Sequence, residues 1–406
     1  VQQKQEQDQL NLKQLVKSDN FCVMPFTHQY VTTTGRVNLC CIADYGNDLG
    51  EVSDLKEQWS SPEIVQVRER MLADKPEPRC MLCYEQGKGS DRVSHNTRYA
   101  KQYPDLQLNA HTGNNMWHAP EWLDLRPGRL CNLKCRMCFS DVSSSIYDEL
   151  KAHQHLTDIV ADHPRVITDW LEDPIALESV KQLIPHVRVI KLAGGEPLFM
   201  PGVLKLLRWM VDNNHTDTHL DITTNGTRLQ GKTFKLLEKF NHIDIQFSMC
   251  GTEQTNDYIR SGAEWKQLQS AYSSYIEMTN CRVNIMATVQ LYNIFNIHKL
   301  IDFWISKGQH GFMLFNIVNY PQALSIDLLD KRGRELASST LADFEKFFGT
   351  EARLSHIQDR LQQKPPDNLQ ELRQQWVQRT CALDLVREES VSELHPMLKE
   401  YIEQWA

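Results

Sequence analysis

The chain has 406 residues, 41% of them apolar, and a net charge of -8 from 44 basic and 52 acidic side chains. That length exceeds one ordinary domain and the apolar content supports sizeable cores, while the modest negative charge excludes a nucleic-acid backbone as the partner. No apolar run reaches the roughly 18 residues of a membrane span, and 11 cysteines without an export signal read as metal ligands in a reducing compartment, the cytoplasm, rather than as disulfides.

Residues 1–20 are glutamine-rich and read as a polar tail. Residues 26–33 and 36–41 then read as two strands joined across Gly35, a hairpin that brings Cys22 and Cys40 together. Ser61-Pro62-Glu63 opens a helix with proline in its first turn and Ile64, Val67 and Met71 on one stripe. That helix returns the chain to Cys80-Met81-Leu82-Cys83 and completes a unit over 21–90. Two cysteine pairs with one CxxC suit a tetrahedral zinc ion as well as an iron-sulfur cluster. Residues 91–118 are polar, with Arg92, His95, Arg98 and His111 but little apolar periodicity, and read as a charged connector.

Strand and helix signals alternate six times over 119–320, which argues for a parallel sheet with its site at the carboxyl ends of the strands. Cys131, Cys135 and Cys138 follow the first strand with the spacing CxxxCxxC. A four-iron cluster takes four thiolates, so three leave one iron open, as catalytic metal sites require. The apolar run 187–193 ends in Gly194-Gly195-Glu196-Pro197, and a helix starts near Pro201. Glycines there let the backbone approach a ligand and adopt positive φ. Residues 219–224 enter Asn225-Gly226-Thr227, and 242–249 alternate with Ile243, Ile245 and Phe247 on one face. Another apolar run (281–291), a helix (293–307) and a last strand (312–318) follow. Residues 143–185 insert extra helix where barrel enzymes hold selectivity. From 321 to 406 the chain reads as helical, broken at Lys364-Pro365-Pro366-Asp367. Its Leu341, Phe344, Phe347, Phe348, Trp376 and Trp405 face the core. Cys281 and Cys381 read as small buried apolar residues.

CxxxCxxC followed one strand later by GGEP resembles the radical S-adenosylmethionine (radical SAM) superfamily. The resemblance implies an α/β fold: a partial (β/α)6 TIM-like barrel over 119–320, with a small N-terminal α+β domain and a helical C-terminal region. It implies a [4Fe-4S] cluster on Cys131, Cys135 and Cys138 whose open iron binds SAM, with Gly194, Gly195, Glu196 and Pro197 at the methionine amino end. The segment SMCGTEQTNDYIRSG is similar to the family's SIDG-containing stretch, which implies Ser248 and Arg260 near the SAM carboxylate or ribose. Cys250 stands where an aspartate is more usual. The hairpin, helix and CxxC of 21–90 resemble the SPASM/twitch extension, here placed ahead of the barrel. Carried over residue by residue, Cys22, Cys40, Cys80 and Cys83 bind an auxiliary [4Fe-4S] cluster, with Cys41 the rival of Cys40.

The activity implied is reductive cleavage of SAM to a 5'-deoxyadenosyl radical and removal of a substrate hydrogen, fed by a low-potential donor such as flavodoxin or ferredoxin. The substrate expected is a peptide or protein. Dehydrogenation or rearrangement of a sugar, aminocyclitol or nucleotide derivative is the alternative, and a redox carrier or zinc protein the reading outside enzymology.

Overall fold

The computed structural model describes residues 10–43, 46, 48–87, 90–162, 169–228, 231–348 and 354–406 and, of residues 91 and 345–348, the backbone only. The chain divides into two compact units. One comprises Val1–Arg129, Thr168–Ile222 and Lys235–Ile243; the other comprises Leu130–Ile167, Thr223–Phe234 and Asp244–Ala406.

In the first unit the strands run in the order His219–Thr224, Val189–Leu192, Trp122–Leu125, His28–Val31, Arg36–Asn38, Gly50–Glu51. The first four are mutually parallel and the last two antiparallel. The expected hairpin is therefore present, but its first strand also pairs with Trp122–Leu125. That pairing puts the N-terminal cysteine region and three strands of the 119–320 stretch into one sheet. Register aligns Tyr30, Asp124, Lys191 and Asp221 in one row across four strands. Period-two alternation sends Leu123, Leu125, Ile190 and Leu192 to the opposite face, where all four are fully buried.

The helix Pro62–Leu72 begins as its sequence dictates. Ser61 Oγ accepts the Ile64 N–H at 3.4 Å, Pro62 occupies the first turn, and Ile64, Val67 and Met71 face inward. Arg68 is buried on the same stripe, donating to the Pro25 carbonyl at 2.8 Å and to the Ala110 carbonyl at 3.1 Å.

Two expectations are corrected here. Residues 1–9 of the polar tail lie outside the described residues, but Leu10–Asn11 pairs antiparallel with Gln107–Asn109 and Leu12–Leu15 is helical. Leu12 and Leu15 are buried, so these residues anchor rather than trail. The connector is also structured: Asp91–Gln102 is a helix. Its inward stripe of Arg92, Asn96 and Tyr99 has helical spacing but is mostly polar, so an apolar period does not reveal it.

In the second unit Met313–Ile317, Cys281–Val289 and Ile243–Ser248 lie side by side, the first two parallel. Ile243, Ile245 and Phe247 are buried as the alternation predicts. Helices Lys331–Phe348, Ser355–Gln362, Leu369–Arg387 and Pro396–Trp405 fill the C-terminal region, with the break at Lys364-Pro365-Pro366-Asp367 between the second and third. Leu341, Trp376 and Trp405 are buried, while the side chains of Phe347 and Phe348 lie outside the described residues. The α/β class and the helical C-terminal region are borne out. Cys381 is exposed, against its reading as a core residue, because it sits on the outer face of Leu369–Arg387. None of the described helices is long and apolar enough to cross a membrane.

Candidate functional site

The second unit gathers the triplet. Cys131 and Cys135 are buried and Cys138 half-buried, on a loop that closes with the Cys138 N–H donating to the Cys135 carbonyl at 3.0 Å. Serines at the start of the next helix hold this loop. Ser143 donates to the Leu133 carbonyl at 2.6 Å, and Ser144 and Ser145 donate to the Cys131 carbonyl at 2.8 and 2.9 Å. The Ser143 hydroxyl also caps that helix by accepting the Ile146 N–H at 3.3 Å. The serine run is legible as an N-cap, but its hold on the cysteine loop is not.

Two donors point at the cysteine sulfurs. Arg260 Nη1 lies 3.7 Å from Cys135 Sγ and Asn225 Nδ2 lies 3.8 Å from Cys131 Sγ. Arg260–Ser261 pairs as a short antiparallel strand with Lys134–Cys135, Arg260 opposite Cys135, which fixes the guanidinium against the loop. The Cys138 thiol, a hydrogen-bond partner, pulls Cys135 down to about 6 despite burial, with Arg260 adding to the effect. Cys250 is fully buried and its thiol also bonds to Arg260. Ser248, expected beside SAM, is half-buried at the end of Ile243–Ser248.

Beneath the loop sits a clamp from the C-terminal region that local sequence patterns do not announce. Arg136, between the second and third cysteines, has no exposed side-chain surface. Its Nη2 donates to Asp384 and Glu389, both at 2.6 Å, and its Nε to the Tyr258 carbonyl at 3.0 Å. The guanidinium lies 3.6 Å from the Tyr258 ring centroid. Arg379 donates to the Arg136 carbonyl at 2.9 Å, and Glu149 joins Lys134 to Arg387 at 2.8 and 2.6 Å. Leu383 packs with Ile146, Leu150, Leu156 and Val160, and Cys138 lies against that cluster.

Gly194-Gly195-Glu196-Pro197 belongs to the first unit. Gly194 has φ +108°, and a Cβ there would stand 2.9 Å from the Gly128 carbonyl oxygen. The Gly195 N–H donates to that same oxygen at 3.1 Å. The missing side chain thus admits neighbouring backbone, and the turn is packed into place rather than left open on that side. Glu196 is fully buried, and its Oε1 accepts the Leu198 N–H at 3.1 Å, capping the turn Pro197–Phe199.

The same unit brings Cys22, Cys40, Cys80 and Cys83 to one cavity of about 80 Å³. Cys41 also reaches its rim but is exposed, whereas Cys40 turns inward. Burial pushes Cys22 well above the ordinary thiol range, and Cys40, Cys80 and Cys83 add to the rise. Burial likewise takes Cys40 and Cys80 up to about 12. Thiols that suppress one another's ionisation need a cation to become ligands, since a metal deprotonates a coordinating thiol outright. A zinc ion would need its donors about 2.3 Å from one point. Among the described residues, no three histidine, cysteine, aspartate or glutamate side chains converge as a single metal ion requires. Four cysteines lining one cavity supply the four thiolates that a four-iron cluster takes.

Residues 22–84 match the family model of the SPASM iron-sulfur cluster-binding domain, which bears out the auxiliary domain expected there. No curated protein matches the chain. Among solved structures, it is similar to hexahistidine-tagged anSMEcpe with bound AdoMet at 19% identity and TM-score 0.41, over 57% of this chain and 59% of that one. Streptococcus suis SuiB bound to S-adenosylmethionine is 18% identical with TM-score 0.39, over 71% and 58%. SuiB bound to precursor peptide SuiA is 19% identical with TM-score 0.37, over 67% and 53%. The chain spans less than two thirds of the length of each of these proteins.

Proposed function

We propose that this chain is a radical SAM enzyme with a SPASM-type auxiliary domain, and that it oxidatively modifies a peptide or protein. The observation that carries the reading is the CxxxCxxC loop itself: three thiols on one folded loop, with Arg260 and Asn225 donating toward two of their sulfurs and no fourth cysteine among the loop's residues. Cys131, Cys135 and Cys138 would hold a four-iron cluster, and Cys22, Cys40, Cys80 and Cys83 the auxiliary one. Gly194, Gly195, Glu196, Pro197 and Ser248 would hold SAM. When bound together, cluster and SAM supply a 5'-deoxyadenosyl radical by one-electron reductive cleavage.

The chain's own residues do the rest. Arg260 neutralises thiolate charge at Cys135 and, being bonded to Cys250 as well, fixes the loop against the end of the neighbouring strand. Arg136, Glu149 and Arg379 keep the loop's shape. The SPASM domain supports a peptide or protein substrate, because extensions of that type accompany peptide-modifying enzymes in the family this chain resembles. A flavodoxin or ferredoxin would deliver the electron.

The test is anaerobic purification with iron and sulfide analysis, and a dithionite assay for 5'-deoxyadenosine, on the parent and on Cys131→Ala/Cys135→Ala/Cys138→Ala. The reading expects about eight irons falling to about four in the triple variant, with nucleoside made only by the parent. A reconstituted parent that makes no nucleoside refutes it.

A further inference from the structure

Thiols alone do not wall the cavity among Cys22, Cys40, Cys80 and Cys83. The wall also carries Arg92, His95, Trp122 and Lys191, against one carboxylate, Asp124. That carboxylate is already engaged, accepting from Arg126 Nε and Nη2 at 2.9 and 3.1 Å. Besides His28 Nδ1, whose role depends on the tautomer, two obligate donors of the wall remain unused. Arg92 Nε and Trp122 Nε1 are buried and make no hydrogen bond to the protein. Both groups can only donate, and a buried donor without an acceptor costs about 1–3 kcal/mol.

Neither side chain is free to turn away. Arg92 is 6% exposed, and its Nη1 donates to the Phe21 and Ser18 carbonyls at 3.1 and 3.3 Å. Trp122 is wedged edge-on to His28, ring centroids 6.0 Å apart, beneath the Arg98 guanidinium at 5.1 Å. Two fixed, unspent donors in the wall of one cavity imply an acceptor that fills it. The acceptors an iron-sulfur cluster offers are its sulfides and thiolates.

We propose that Arg92 and Trp122 donate hydrogen bonds to the sulfurs of the auxiliary cluster and thereby raise its reduction potential; this rests on the reading of the cavity as a cluster site. Hydrogen bonds to the sulfurs are one of the levers that set such a potential. Each withdraws charge from sulfur and so favours the reduced, more negative cluster. Helix Asp91–Gln102, which reads in sequence as a connector, is on this account part of the redox centre.

The experiment uses the full chain carrying Cys131→Ala/Cys135→Ala/Cys138→Ala, so that only the auxiliary cluster reports. It is an EPR-monitored redox titration with and without Trp122→Phe, which keeps an aromatic side chain and deletes the N–H. The ratio of reduced to oxidised cluster at a fixed potential is expected to fall about tenfold, a 59 mV shift for a one-electron couple. Iron and sulfide stay near four per chain. Arg92→Lys, which keeps the charge and loses the Nε–H, shifts the couple the same way and carries the test if Trp122→Phe fails to load. Trp117→Phe, outside the cavity, leaves the potential in place. A loaded cluster with an unmoved potential in both variants overturns the proposal. A triple variant that binds no iron overturns instead the cluster reading beneath it.

Discussion

Removing the Arg136 fork should empty the triplet site while leaving the auxiliary site loaded. Arg136 sits at zero side-chain exposure between two carboxylates that are only 15% and 23% exposed, Asp384 and Glu389. Arg136→Met keeps most of the buried volume but leaves both acids facing an apolar side chain. Breaking a buried pair by removing one partner costs about 3–5 kcal/mol. The low end applies here, because Tyr258 and the Val391 N–H still donate to Asp384, and Ser261 to Glu389. A cost of about 3 kcal/mol raises the population of the locally opened loop about a hundredfold. The assay is the rate at which an iron chelator strips anaerobically reconstituted protein. About four irons per chain should leave about a hundredfold faster in Arg136→Met than in the parent, and the other four at the parent's rate. Arg136→Lys, which supplies an ammonium but not the planar fork, should fall between. Equal stripping of all irons in parent and Arg136→Met would refute the clamp.

Cys40→Ser should lose the auxiliary irons while Cys41→Ser keeps them, because Cys41 is exposed at the cavity rim and Cys40 is the more buried of the two; iron content in the triplet-deleted background decides it. Gly194→Ala places a Cβ at φ +108° and 2.9 Å from a carbonyl oxygen. The strain alone costs about 1–3 kcal/mol, read as a lower melting temperature together with weakened SAM binding by calorimetry. Glu149 carries a pH signature. Burial would raise its carboxyl, but Arg387 and Lys134 outweigh burial and hold it below its ordinary 4.5. A depressed acid stabilises the fold above its unfolded value and loses that contribution as pH falls through the folded one. The metal-free chain should therefore unfold at lower urea concentration as pH drops below about 4.5. Glu149→Gln should be less stable at pH 7 and lose part of that acid dependence.

What could be read before the structure, and what could not, follows from how far each interaction reaches along the chain. The triplet and the GGEP turn are short-range: spacing and residue type carry their chemistry, and the alternation through Ile243, Ile245 and Phe247 locates a strand because burial repeats every second residue. The four auxiliary cysteines needed a hairpin and a helix to meet, and both were visible through Gly35 and the Ser61-Pro62 start. The inward stripe of Asp91–Gln102 was invisible for a specific reason. Asn96 spends its amide on the Val23 N–H and the Phe21 carbonyl at 2.8 and 2.9 Å, and Arg92 also reaches Phe21, so a polar face performs the packing that a hydrophobic period would have announced. Both residues hold the backbone beside Cys22. The clamp on Arg136 was invisible for another reason: its partners lie 248 and 253 residues away, and charges at that separation leave no local pattern. The two missed features have the same form. Each cysteine loop is held by a distant helix through arginine bonds to backbone or carboxylate, Arg92 for Cys22 and Arg379 with Arg136 for the triplet. On the proposed function the motifs supply the atoms that would bind metal, and helices that contain none of those cysteines hold the loops in the shape to do so.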